Sequence, residues 1–332
     1  MTSPALRSLL RCLLPLMANA VLLLSCTGSS PVREQLLRAE QLMEADSRAA
    51  ATVLDSIDSS TLRGEEAALY ALLRTQADYK SRIRLTSDSL PLIATRYYGT
   101  KWKGYRAALS QYYLGCAYGD MHRDLDAFDA LLRATTLFPD TTSKYFAYSF
   151  YELGLLYERH LLHAKALNAY QQFKHSSVCQ NDSLNIGYAD YGMAHTYLIL
   201  KNSECADSLF RQVITNPFLS TKYKSDAYFQ LAKLSLHINH LPDDALYYLE
   251  KSIHLMNEDQ LFGALYSLKA DIFSSVQQYD SAYYYNKKAL LFKKEIYTLC
   301  WVNKQLAETS LALGKTDSVG FFYRNMSLCW IL

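Results

Sequence analysis

The sequence predicts an all-α solenoid of about eight helical hairpins, and three observations carry that prediction. Only 12 Gly and 7 Pro occur among 332 residues, too few turn formers for a protein of many strands and hairpins. Small residues recur at Ala39, Ala77, Gly115, Gly154, Ala194, Ala232, Ala270 and Ala307, spaced 37–40 residues apart. A second series, Ala50, Leu90, Ala127, Ala166, Ala206, Ala245, Ala282 and Val319, keeps the same spacing. Two markers with one period indicate a repeated two-helix unit, the first series in the middle of the first helix and the second in the middle of the second. Half the residues are hydrophobic, so the array can bury a core, and 27 Tyr against 13 Phe suits a protein with much half-buried surface.

Residues 1–25 read as an export signal. Arg7 and Arg11 form its basic region, and Leu13 to Leu24 is apolar apart from Pro15 and Asn19. That stretch is short of the roughly 20 residues a bilayer span needs. It ends in Leu23-Leu24-Ser25-Cys26, followed by Thr27-Gly28-Ser29-Ser30-Pro31. This resembles the bacterial lipobox. The resemblance implies Cys26 as the lipidated N-terminus of the mature chain, residues 26–32 as a tether and 33–332 as the repeat array. Acyl chains would hold the anchor at about 0.8 kcal/mol per buried methylene. A plain secretory signal with a chance cysteine is the competing reading. Thr27 stands where known sorting signals have Asp, which by that analogy points to the outer membrane, facing the periplasm.

The clearest hairpin spans Ser110 to Pro139, with Leu114-Gly115, Tyr118, Ala127, Leu131, Ala134 and Pro139. Small residues are needed where two helices approach closely, because a large side chain there forces the axes apart. Large ones fill the seam beside them: Leu114 and Tyr118, Leu153 and Tyr157, then Tyr197, with Tyr170 and Phe210 from the second helices. Asp88-Ser89, Asp280-Ser281 and Asp317-Ser318 are expected to cap second helices, and Pro242-Asp243-Asp244 to start one. Asp140 to Ser143 reads as a link between units.

At these residues the chain resembles tetratricopeptide repeats, whose pattern is Leu-Gly, aromatic, Ala, aromatic, Ala and Pro. The third unit matches at Leu114, Gly115, Tyr118, Ala127, Ala134 and Pro139, with Leu131 in an aromatic slot. The fourth matches at Leu153, Gly154, Tyr157, Ala166 and Tyr170, but has Phe173 where a small residue is usual. The sixth and eighth match weakly. The resemblance covers residues 33–332 and implies a right-handed superhelical solenoid; the period exceeds the family's 34, so longer links are expected. Residues 39–62, 67–83 and 88–99 are similar to the start of repeat lipoproteins of Bacteroidetes. Some longer relatives continue into a membrane helix and a regulatory region. This chain ends within its eighth unit, which implies a shortened or truncated member.

No catalytic chemistry is legible. The sequence has no Gly-rich phosphate loop, no G-x-S-x-G elbow and no H-E-x-x-H helix. His160/His163 and His237/His240 fall in or near turns, and no third metal ligand accompanies either pair. No cofactor or metal is expected. Beyond Cys26 the expected mature chain carries Cys116, Cys179, Cys205, Cys300 and Cys329. That is an odd number without C-x-x-C, read as buried thiols, with a Cys179–Cys205 bridge open in an oxidising compartment. The net charge of +2 falls to zero without Arg7 and Arg11, and no Lys/Arg run appears, which argues against nucleic-acid binding.

The resemblance places the first helices on a concave face, with inward positions six and three residues before the small anchor and one after. Three before gives Tyr112, Tyr151, Tyr191 and Phe229; six before gives Tyr148 and Tyr188; one after gives His195 and Lys233. The expectation is an aromatic strip with a basic end. Such a strip binds an extended peptide or a glycan at small entropic cost, or else packs adjacent helices together. The function expected is a non-catalytic, envelope-anchored scaffold for a protein, peptide or glycan partner. The alternatives are the sensory input domain of a truncated envelope regulator and an accessory of carbohydrate capture. The last helix bears Val319, Phe322, Tyr323, Met326, Trp330 and Ile331, an apolar face expected to be exposed and to self-associate.

Overall fold

The computed structural model describes residues 30–101, 104–256, 263–292 and 296–329. The expected signal, Cys26, Trp330 and Ile331 lie outside them. Among the described residues there are sixteen α-helices and no strand. They pair into eight hairpins, each a first (A) and a second (B) helix: α1 (Pro31–Leu42) with α2 (Ser47–Asp55), α3 (Gly64–Lys80) with α4 (Ser89–Lys101), and α5 (Tyr105–Asp120) with α6 (Asp124–Leu137). These make the first compact unit, which ends at Pro139. The second unit holds α7 (Lys144–Arg159) with α8 (His163–Cys179), α9 (Ser183–Ile199) with α10 (Ser203–Thr215), and α11 (Thr221–His237) with α12 (Pro242–His254). It continues with α13 (Gly263–Ser275) and α14 (Tyr279–Ala289), then α15 (Ile296–Ala312) and α16 (Thr316–Cys329). The all-α repeat fold is as the period predicts. No helix among the described residues is long and apolar enough to cross a membrane.

All eight A-helix anchors are buried. The cause is visible at Gly115, where a Cβ would fall 2.6 Å from Leu131 Cγ and 3.3 Å from the Leu131 backbone nitrogen. Most B-helix markers are the fourth residue of their helix and fully buried, as Ala127, Ala166, Ala206, Ala245 and Ala282 are. Leu90 is a correction. It is half-buried, and the inward positions of α4 are Pro91, Ala94 and Tyr98, one residue out of register. Phe173 fits where a small residue was expected because Ala147 and Ala189 leave room around it.

Six of the eight A-to-B turns, those after α3, α5, α7, α9, α13 and α15, close in the same way. The N–H groups of Arg123, Leu162, Asn202 and Gln278 donate to the carbonyls of Tyr118, Tyr157, Tyr197 and Phe273 at 2.8–2.9 Å. The residue before each donor takes the left-handed conformation: His122 (φ 58°), Leu161 (57°), Lys201 (60°) and Gln277 (61°). This is the Schellman closure that satisfies the last carbonyls of a helix. Only the α15–α16 turn uses glycine there, Gly314.

Helix starts depart from expectation in detail. α1 begins at Pro31, inside the expected tether, with the Ser30 hydroxyl capping Arg33 N–H. Asp280 and Asp317 sit within first turns, so they act on the helix dipole, and α14 begins after Gln278 without a side-chain cap. Pro242, Asp243 and Asp244 do start α12. Side-chain caps come from Asp46, Asp182 and Asn202. In the last helix, Phe322 is buried against Val302, Leu306 and Ala307, with Val319 packed beside them. The large apolar groups exposed there are Phe321 (60%) and Tyr323 (41%). The burial of Phe322 corrects its expected place on the exposed face: Val319 and Phe322, three residues apart, share the side turned to α15.

The anchor geometry sets a test. Gly115→Ala gains about 1 kcal/mol of helix propensity but costs roughly 1–3 kcal/mol through overpacking against Leu131. At Gly119, on the same helix, a Cβ meets nothing within 4 Å, so only the gain applies. Thermal or denaturant unfolding is expected to show Gly115→Ala less stable than the parent and Gly119→Ala equal or more stable.

Candidate functional site: the A-helix surface of the second unit

The expected strip separates into three parts. Tyr112 is a correction. It lies in the first unit and is 3% exposed, its ring 4.9 Å from that of Tyr113. Every residue of α5 from Ala107 to Tyr118 is buried, so the position three before Gly115 has no open groove to face. Tyr148 packs against Tyr145 (5.8 Å) and Phe173 (6.4 Å) and borders no described cavity. The remaining six residues divide between two cavities of the second unit.

The first cavity, about 340 Å³, lies between α7 and α9. Tyr151, Leu155 and Glu158 come from α7, Tyr170 from α8, and Tyr188, Tyr191, Gly192, His195 and Ile199 from α9. One ring organises it. Tyr170 is 1% exposed and stands against the backbones of both A helices. A Cβ on Gly154 would lie 2.5 Å from it and one on Gly192 2.8 Å. Its hydroxyl donates to Glu158 Oε2 at 2.9 Å, and the Thr196 hydroxyl shares its one proton between Glu158 Oε1 at 3.0 Å and the Gly192 carbonyl at 2.9 Å. The carboxylate is thereby fixed at the cavity wall by two neutral donors. The Tyr151 ring is 6.2 Å from Tyr170 and 6.3 Å from Tyr188.

Behind the opposite wall lies Asp226 of α11. It accepts from the Tyr191 hydroxyl at 3.0 Å and pairs with His195 Nε2 at 2.8 Å, with Gln230 at 3.4 Å. Burial opposes charge on Asp226, but the bonds from His195, Tyr191 and Gln230 outweigh it and hold the carboxyl below its ordinary range. Burial raises the hydroxyls of Tyr151, Tyr170 and Tyr191 well above the usual phenol range, so all three stay neutral donors. His195 therefore faces an acid and does not form a basic end.

The second cavity, about 350 Å³, is bordered by Phe229, Lys233 and His237 of α11, Ala264, Ser267, Leu268 and Asp271 of α13, and Trp301 of α15. Phe229 is 8% exposed and contributes little of its surface. The Trp301 indole N–H donates to Asp271 Oδ2 at 3.2 Å. Burial nonetheless lifts the Asp271 carboxyl to about 7, Glu308 adding to the rise and Lys304 opposing it. Lys233 also borders a third cavity with Leu198, Lys201 and Gln230.

Glu158, Tyr170, Asp226, Asp271 and Trp301 were not among the expected site residues, yet the register contains most of them. Asp226 and Trp301 stand six before Ala232 and Ala307, Asp271 one after Ala270, and Glu158 one helical turn past Leu155. Searching those positions for aromatic rings alone passes over the acids. His160 and His163 flank the α7–α8 turn, and His237 and His240 the α11–α12 turn. Among the described cysteines, Cys116, Cys179, Cys205 and Cys300 are thiols; Cys116 is buried, whereas Cys179 is exposed.

No protein-family model matches the chain, and no curated protein matches it. Solved structures do. The apo quorum sensor NprR from B. thuringiensis superposes with a TM-score of 0.60 at 15% identity, over 90% of this chain and 98% of that one. Apo RapI gives 0.60 at 13%, over 92% and 88%. NprR in complex with its cognate peptide NprX gives 0.55 at 14%, over 89% and 88%. At such identities the likeness is one of fold, the stacked helical hairpin.

Asp271 makes stability depend on pH. Its folded value of about 7 exceeds the ordinary 3.8, so the native state holds this proton longer than the unfolded chain. The stability it contributes is complete below pH 4 and is lost as pH rises to about 7. Asp271→Asn is expected to be more stable than the parent at pH 8, with the difference vanishing toward pH 4 in unfolding curves.

Proposed function

We propose that this chain is a non-catalytic binding scaffold whose second unit takes an extended segment of a protein or peptide on its A-helix surface, the whole held at the cell envelope through Cys26. The observation that carries the binding reading is the α7–α9 cavity: Tyr151, Tyr188 and Tyr191 are half-buried around open space instead of closing it. Side chains that served only to fill the groove would leave no such volume, because protein interiors pack to near crystal density. Tyr151 packs on Tyr170, Tyr188 on Tyr223, and the Tyr191 hydroxyl is bonded to Asp226, so a ligand gains contact area against a wall already supported. NprR, a structure of similar fold, is solved with its cognate peptide NprX, which supports a peptide as the partner class. The anchor rests on the order of basic, apolar and small-Cys elements before Thr27. Self-association through Phe321 and Tyr323 is a second mode of contact for this scaffold.

Selection of displayed random peptides on the parent protein, repeated on Leu155→Trp, tests the binding reading. Leu155 is 38% exposed at the cavity mouth, so the larger side chain blocks the space without disturbing the core. Peptides that bind the parent and lose at least tenfold affinity on the variant are expected. No enrichment, or equal binding to both proteins, overturns the reading; binding of glycans in place of peptides moves the partner to carbohydrate. For the anchor, metabolic labelling with a radioactive fatty acid is expected to mark the parent and not Cys26→Ala, and labelling of neither removes the lipoprotein assignment.

A further inference from the structure

The α7–α9 cavity has a charge imbalance that the chain itself does not resolve. Glu158 lines the cavity, and its partners are the hydroxyls of Tyr170 and Thr196. No lysine, arginine or histidine of the described residues pairs with it. The imidazole of the cavity lining, His195, is committed to Asp226, a second acid. Some other carboxylates of this unit hold cations: Asp190 holds Lys174 at 2.6 Å, Asp207 holds Arg211, and Glu250 holds Lys269 at 3.3 Å. Glu158, like Asp182 and Asp271, accepts hydrogen bonds only from uncharged groups, and of these three it is the one that lines the α7–α9 cavity.

The rings show the same contrast. Some tyrosines elsewhere in the array carry a cation of the chain over their faces: Arg123 over Tyr118 at 4.3 Å, Lys165 over Tyr157 at 5.8 Å, Lys251 over Tyr247 at 5.5 Å and Lys288 over Tyr284 at 4.9 Å. Among the described residues no lysine or arginine stands over Tyr151, while the Tyr191 ring meets the His195 imidazole at 4.5 Å and Tyr170 is enclosed by the Gly154 and Gly192 backbones. A ring face attracts cations through its quadrupole, and the attraction grows to about 2 kcal/mol or more when the site is partly desolvated. A carboxylate held by neutral donors at the wall of a cavity lined by tyrosine rings is complementary to a compact positive group supplied from outside.

We propose that the α7–α9 cavity is an ammonium-recognition site, in which Glu158 forms the ion pair and Tyr151, Tyr188 and Tyr191 form the aromatic wall. This deepens the peptide-scaffold reading and rests on it for the rest of the ligand. The group inserted is an ammonium, from a lysine side chain or from a free peptide N-terminus. Tyr170 and Thr196 are positioning residues: their hydroxyls hold both carboxylate oxygens so that the charge stays at the wall. Methylation of the ammonium is tolerated, since the ring faces need no hydrogen bond, whereas acetylation abolishes the charge and the recognition.

The test is a titration of the protein, followed by the ring resonances of its tyrosines, with choline and with 3,3-dimethylbutan-1-ol, its neutral isostere. Saturable shifts of Tyr151, Tyr188 and Tyr191 with choline, and affinity at least tenfold weaker for the alcohol, are expected. Glu158→Gln keeps the shape and is expected to lower choline affinity at least tenfold while the melting temperature stays near the parent's. Leu155→Arg, one turn from Glu158 and outside its hydrogen-bond network, places an internal cation beside the carboxylate and is expected to compete in the same way. It serves where Glu158→Gln fails to fold. Acetyl-lysine methylamide, with a free ε-ammonium, and glycine methylamide, with a free α-ammonium, distinguish the two sources; Nε-acetylation of the former is expected to abolish binding. Equal affinity for choline and the alcohol, saturable shifts elsewhere only, or unchanged choline affinity in a folded Glu158→Gln protein overturns the proposal. Selected peptides that bind at the cavity but carry no cation leave the scaffold reading standing and sink this one. Absence of any bound peptide with choline still bound sinks the scaffold reading instead.

Discussion

Tyr170 stands between two glycines, and the second unit depends on that contact. Gly154 and Gly192 bring the backbones of α7 and α9 to the two sides of one phenol ring. A ring in that position transmits the close approach of one hairpin to the next, because the same side chain packs on its own A helix and on the following one. Removing a fully buried aromatic of this kind costs about 3–5 kcal/mol. The hydroxyl at its end is then delivered to Glu158. Packing and polarity of the cavity therefore share one residue, and the geometry of the wall follows from the constraint that forms the repeat.

The period was legible because it reports a steric requirement. Close approach admits only Gly or Ala at the anchor, and that restriction survives in a single sequence at Ala194, Ala232 and Ala270 as clearly as at Gly115. What the sequence could not settle is how completely each helix is enclosed. Tyr112 and Tyr151 occupy the same register position, yet α5 is buried over its whole central stretch while α7 borders open space. Helix caps were misplaced by a residue or two because Asp-Ser pairs serve equally well as a cap and as first-turn acids. The acids of the cavity were hidden for another reason. Glu158 and Asp226 gain meaning only through partners 12 to 38 residues away in the chain, Tyr170, Tyr191 and Thr196.

The A-helix surface is chemically graded. At the α7–α9 cavity it presents acids and phenols. At the cavity bordered by α11, α13 and α15 it presents Lys233 and His237 beside an indole and a carboxyl that sheds its charge easily. A chain with no net charge outside its first residues thus carries a local order of sign along one face. Electrostatic order of this kind fixes the direction in which a ligand lies more than the strength with which it is held. The grading arises from single substitutions at equivalent register positions, Leu155, His195, Lys233 and Asp271, which is how a repeat protein varies its chemistry without varying its backbone.

The non-glycine residues that close the A-to-B turns carry a consequence for how the molecule folds. A left-handed conformation at Leu161, Lys201 or Gln277 costs of order 1–2 kcal/mol that glycine would avoid. Hairpins closed by such a residue therefore start at a deficit, and contact with the helix of the next hairpin, as at Tyr170, supplies compensation. Arrays with weak units and strong interfaces behave as coupled one-dimensional chains: a lone unit is unstable, and neighbours order together once several are in place. Within each compact unit, folding is thus cooperative across hairpins, and damage at one interface is felt by repeats that do not touch it.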